Sequence, residues 1–108
     1  MKQFLLCAVD DLAPATARRF DVGTHRIALV RLEDDFYAIG DTCSHADYSL
    51  SEGEVNTEER TVECWKHGSQ FSVDDGHPVS LPATRPVPVY NVQVEEGSVY
   101  VSIEVGDE

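Results

Sequence analysis

Basic side chains are scarce in this chain of 108 residues: 8 Lys and Arg stand against 20 Asp and Glu, a formal charge of −12. Each phosphate contact wants a cation whose arrival releases counterions, so nucleic acid and an anionic membrane surface are excluded as partners and a basic protein is favoured. Long hydrophobic runs are missing as well. The longest near the start, Phe4-Leu5-Leu6-Cys7-Ala8-Val9, stops at Asp10-Asp11. A membrane span needs about 20 apolar residues and a secretory core about 7–15 followed by a small-residue cleavage site, so neither is expected and the cytoplasm is the expected location. Cysteine is sparse and odd in number, 3 in all, which argues against a disulfide framework. Cys7, behind the bulky Leu6 in a run too short for lipid attachment, reads as a buried core thiol. No stretch carries the apolar stripe of an amphipathic helix, and Pro14, Pro78, Pro82, Pro86 and Pro88 interrupt several candidates.

The remaining pattern is that of strands. Val99, Val101, Ile103 and Val105 alternate with Tyr100, Ser102 and Glu104, a half-buried strand, and Val87 to Val94 precedes it across the turn Glu95-Glu96-Gly97-Ser98. Arg26 to Leu32 and Phe36 to Ile39, joined by Glu33-Asp34-Asp35, predict a second hairpin; Phe4 to Val9 and Arg18 to Val22 supply further strands. The fold class is therefore all-β, in a single domain at this length. A small subdomain of about residues 41–77 is set into a β scaffold of 1–40 and 78–105. It holds three of the four histidines, two of the three cysteines and the single tryptophan.

Its chemistry lies in Cys43-Ser44-His45, then eighteen residues, then Cys64-Trp65-Lys66-His67. Thr61-Val62-Glu63 leads as a strand into the second pair, and Gly68 to Val73 leads away to a turn at Asp74-Asp75-Gly76. Two thiolates and two imidazoles suit zinc or an iron–sulphur centre and disfavour calcium or magnesium. One residue between the first two ligands is cramped for a single zinc, whereas two irons relax the spacing; zinc is the main competitor.

Cys-x-His, a linker, then Cys-x-x-His is the signature of the Rieske [2Fe-2S] proteins, which this chain resembles at all four positions. The likeness extends to Gly68 after the last ligand and to Leu81 through Tyr90, similar to the family's proline-containing loop and returning strand; roughly residues 1–105 fit a small soluble Rieske ferredoxin. The resemblance implies an antiparallel β-sandwich with a small cluster-binding subdomain of two loops, and one [2Fe-2S] cluster per chain. Cys43 and Cys64 would hold the inner iron, and His45 and His67 the outer one through the ring nitrogens nearest the backbone. Two histidines in place of two cysteines raise the potential above that of plant-type ferredoxins. Respiratory members of the family carry two more cysteines that bridge the loops. Here Tyr48 stands in the first loop and Trp65 and Lys66 lie inside the second pair, so no bridge forms and a potential of roughly −150 mV to 0 is expected. Ser69 occupies a position where a hydroxyl can hydrogen-bond a sulphide in that branch.

The function implied is non-catalytic: a monomeric carrier of single electrons from a flavoprotein reductase to a terminal oxidoreductase such as a ring-hydroxylating oxygenase. The alternative is a small subunit or module, nitrite-reductase-like or associated with iron–sulphur assembly, whose cluster is structural or regulatory. Ser44 to Asp47 and Leu81 to Pro86 are similar to actinobacterial ferredoxins encoded beside assembly proteins. Among the remaining candidates, His25 is expected to be an exposed turn residue, His77 to have no ligand role, and Trp65 to shield the cluster from water. Asp47, Glu52 and Glu54 either guide a basic reductase or are ordinary solvated charges.

Overall fold

The structure, a computed structural model, describes residues 2–23, 25–42, 48–65, 68–79 and 85–103. Its strands are β1 (Lys2–Ala8), β2 (Thr16–Val22), β3 (His25–Arg31), β4 (Phe36–Gly40), β5 (Val55–Asn56), β6 (Thr61–Glu63), β7 (Gln70–Ser72), β8 (Val89–Glu95) and β9 (Ser98–Ile103). Single 3-10 turns at Val9–Asp11 and Leu50–Glu52 are the helical elements among the described residues. The strand pairings among the described residues are antiparallel: a six-stranded sheet in the order β1-β9-β8-β4-β3-β2, and a three-stranded sheet in the order β5-β6-β7. The all-β expectation holds. Among the described residues, no helix is long and apolar enough to cross a membrane.

The run Ile27-Ala28-Leu29-Val30 is buried without interruption because β3 is covered on both faces, as continuous apolar strands generally are. Ile27 and Leu29 face one core with Ala38, Val99, Val101 and Ile103. Ala28 and Val30 face a second with Ile39, Leu50, Val62, Cys64 and Phe71. The middle of the large sheet thus floors the three-stranded sheet, and the second core lies between them. On β9 the alternation read from sequence reappears: Val99, Val101 and Ile103 are buried, Tyr100 and Ser102 half-buried. The β8–β9 hairpin closes through Glu96 and Gly97, both at positive φ (49° and 79°), a two-residue turn whose twist matches the strands.

β1 carries a bulge. Its register against β9 slips between Leu5 and Cys7, so Leu6 is the extra residue and Cys7 turns into the first core beside Phe4 and Leu6. Cys7 is buried, as expected, and loss of water pushes its thiol up, with the Asp11 charge adding in the same direction and Arg18 opposing.

Two expectations are corrected. Val87 is not in the C-terminal hairpin: β8 begins at Val89, because Pro86 and Pro88 have no N–H to give to a ladder. Val87 is instead buried in the second core, its N–H donating to Gly76 O at 2.9 Å, while Pro88 O accepts from the Gly40 N–H at 2.7 Å. His25 is not an exposed turn residue. The turn is made earlier, at Gly23 (φ 59°), and His25 opens β3 half-buried, opposite Val22. Its Nδ1 lies 3.2 Å from the Tyr90 hydroxyl, the rings meet edge to face, and Nε2 is buried with no partner.

Candidate cluster site

The first Cys/His pair is approached along β4. Gly40 ends that strand against Pro88, whose Cδ would lie 2.7 Å from any Cβ placed there. Asp41 follows, only 1% exposed. Its N–H donates to Arg26 O (2.9 Å) and its carbonyl accepts from the Leu50 N–H (2.6 Å). Its carboxylate accepts from the Ser51 N–H at 2.9 Å and from the Ser49 hydroxyl. Thr42 and Ser49 pair across an isolated antiparallel bridge, so the two stems of the first loop are clipped together. Cys43 and His45, with Asp47, lie outside the described residues.

The second pair follows β6. Cys64 is fully buried at the end of that strand, in the core with Val62 and Phe71. Its N–H donates to Ser69 O at 2.7 Å, and its carbonyl accepts from the Gly68 N–H at 2.9 Å, so Gly68 and Ser69 return to Cys64. Gly68 sits at φ +76° with nothing near where a Cβ would go, so its requirement is conformational. Ser69 is buried beside it. Lys66 and His67 lie outside the described residues. No cluster of three or more metal-ligating side chains is found among the described residues, since three of the four expected ligands fall outside them.

Two contacts bring the loops together. The Tyr48 and Trp65 rings meet edge to face, with centroids 5.0 Å apart at 81°. The turn leaving the first loop crosses the strand entering the second at Gly53, where an added Cβ would fall 1.5 Å from Glu63 O. The next residue continues the crossing, because Glu54 O accepts from the Glu63 N–H at 2.9 Å. Trp65, expected to shield a cluster, is itself 50% exposed. His77 is exposed and pairs with Asp75 at 3.4 Å, while its backbone N–H on the Asp75 carboxylate pulls that group below its ordinary pKa. Sequence reasoning missed Asp41, Tyr48 as a ring contact, and Gly53. The available signal was an acid and two serines, Asp41, Ser49 and Ser51, bracketing the first Cys/His pair.

The Rieske [2Fe-2S] domain model matches residues 2–91. The chain belongs to the Rieske [2Fe-2S] family. Its cofactor is accordingly a [2Fe-2S] cluster. This Rieske chain is 45% identical over 100 residues to Ferredoxin CarAc of Metapseudomonas resinovorans, covering 92% of each chain. Its fold is similar to that of the ferredoxin of carbazole 1,9a-dioxygenase from Nocardioides aromaticivorans IC177, with a TM-score of 0.93, 33% identity, and 96% of this chain and 100% of that one covered. It is also similar to a chain in a complex of reduced oxygenase and oxidized ferredoxin in carbazole 1,9a-dioxygenase, with a TM-score of 0.85, 44% identity, and 92% and 100% coverage. The residues fit the group: Cys64 is a free thiol, sealed from water at a strand end where the backbone folds back on itself, which suits a thiolate held against iron.

Proposed function

We propose that residues 1–108 form one Rieske domain whose cluster is held by Cys43 and Cys64 on the inner iron and His45 and His67 on the outer. The protein carries single electrons from a flavoprotein reductase to a terminal oxygenase of the ring-hydroxylating kind. Residues of about 41–77 are the cluster-binding subdomain, and 1–40 with 78–105 the scaffold. The observation that carries this reading is the meeting of Tyr48 and Trp65, one ring from each loop that bears a Cys/His pair, with Cys64 buried next to Trp65 in the chain. The loop stems are then close enough for four side chains to share one group.

Bound there, the cluster supplies one-electron chemistry, with two thiolates neutralising its oxidised core so that an electron enters more readily than in a four-thiolate site. The chain's own residues do the rest. Cys64 and the second core keep water from the sulphur side. Glu54, Glu58 and Glu63 line a groove of about 390 Å³ on the outer face of β5–β7, which suits a basic partner surface. No side chain is assigned a catalytic role, and the carrier acts as a monomer in the cytoplasm.

The purified protein is expected to be brown, to take one electron per chain from dithionite with bleaching, and to give a rhombic EPR spectrum when reduced. NADH with a catalytic amount of a dioxygenase-system flavoprotein reductase should bleach it as well. A colourless protein holding one zinc would overturn the cluster, and a cluster that no reductase reduces would overturn the carrier.

A further inference from the structure

Asp41 is the one fully buried carboxylate among the described residues, and it joins both stems of the first ligand loop. Through its backbone it is tied to β3 at Arg26 and to Leu50; through its side chain it receives the Ser49 hydroxyl and the Ser51 N–H. Every one of those bonds lies on the stems, none on the ligands themselves. Among the described residues the cation within 4 Å of the carboxylate is Arg19, 3.9 Å from Oδ2, and its two-point contact is with Asp21 instead, at 2.9 and 3.1 Å. Two residues of chain reach about 7 Å at most, which keeps Asp41 close to Cys43. A charge at that range in a water-poor setting is weakly screened.

We propose that Asp41 is a positioning residue for the cluster, which holds the Cys43–His45 loop in shape and whose buried negative charge lowers the reduction potential. This rests on the Rieske reading above and adds a residue to it.

The test is potentiometry on the cluster-loaded protein, with iron release to a chelator as second readout. Asp41→Asn keeps the shape and an oxygen for the Ser51 N–H but removes the charge. It should favour the reduced state three- to tenfold, tenfold being about 59 mV for one electron. Asp41→Ala, which removes the acceptors too, should release iron at least tenfold faster than Asp41→Asn. Arg19→Met removes that cation from beside Asp41 and should shift the equilibrium the opposite way. Arg18→Met makes the same formal change on the other face of β2 and should leave the potential alone. A reduction equilibrium in Asp41→Asn within 1.5-fold of the parent's overturns the proposal. If Asp41→Asn does not load, Arg19→Met decides: a fall supports the charge role, and equality with Arg18→Met overturns it. An unmoved potential in a brown parent protein sinks the Asp41 role alone, whereas a parent without a cluster sinks the reading beneath it.

Discussion

Arg60 meets Asp74 at two points, Nε to Oδ2 at 2.9 Å and Nη2 to Oδ1 at 2.6 Å, while the same guanidinium donates to the Tyr37 hydroxyl and lies 4.9 Å over its ring. Three elements converge on it: the turn before β6, the turn after β7, and β4 of the large sheet. The three-stranded sheet is thereby fastened to its floor at the end away from Cys64. Removing the guanidinium by Arg60→Ala should lower the melting temperature at neutral pH, and Arg60→Lys should not restore it, because an ammonium cannot make the paired contact. Hydrogen bonding from Arg60 holds the Asp74 carboxyl below its ordinary value of 3.8. A depressed folded-state pKa stabilises at pH above the unfolded value and is lost as pH falls through the folded one. The gap between parent and Arg60→Ala should therefore be constant above about pH 5 and narrow in acid to the part that the Tyr37 contacts contribute. A gap that persists unchanged at pH 2 would show the pair to contribute nothing.

Glycines at the two loops separate steric from conformational need. At Gly53 a Cβ would strike Glu63 O, a backbone atom that cannot rotate away. Gly53→Ala should cost about 3 kcal/mol or more in urea unfolding, with backbone displacement at the crossing. At Gly68 the space is open and only the positive φ objects, so Gly68→Ala should cost about 1–2 kcal/mol. Equal costs would mean that the crossing of the first loop's exit over β6 is looser than described.

Burial and the Asp11 charge both disfavour the Cys7 thiolate, which is the nucleophilic form. Iodoacetamide at pH 8, followed by peptide mass mapping, should label Cys7 far more slowly than a free model thiol, and Asp11→Asn should quicken it. Labelling of Cys7 at the free-thiol rate would contradict the bulge that turns it inward.

How much of this was legible in the sequence depends on whether a residue's neighbours lie along the chain or across it. The alternation Val99, Val101, Ile103 records a strand with one covered face, and Ile27 to Val30 a strand with two; both are local patterns that burial imprints directly. The Cys/His spacing is likewise local, and it carries the family. Asp41 left no such trace: its meaning lies in Ser49 and Ser51, brought back by a loop whose path periodicity does not encode. His25 was misjudged for the same reason, since its partner Tyr90 is 65 positions away. Val87 was misjudged because two flanking prolines overrode an apolar alternation that looked like a strand.

The contact between Tyr48 and Trp65 can be weighed by a double-mutant cycle. Edge-to-face aromatic pairs contribute about 0.5–1.5 kcal/mol beyond the area they cover. Tyr48→Ala and Trp65→Ala should each destabilise the protein, and the double variant should cost less than the two together by about that amount. Tyr48→Phe keeps the ring, so its coupling to Trp65 should survive, which separates ring contact from any bond made by the hydroxyl. Strict additivity of the two alanine substitutions would mean that the rings are neighbours without interaction, and the apposition of the two Cys/His loops would then have to rest on the Gly53 crossing alone.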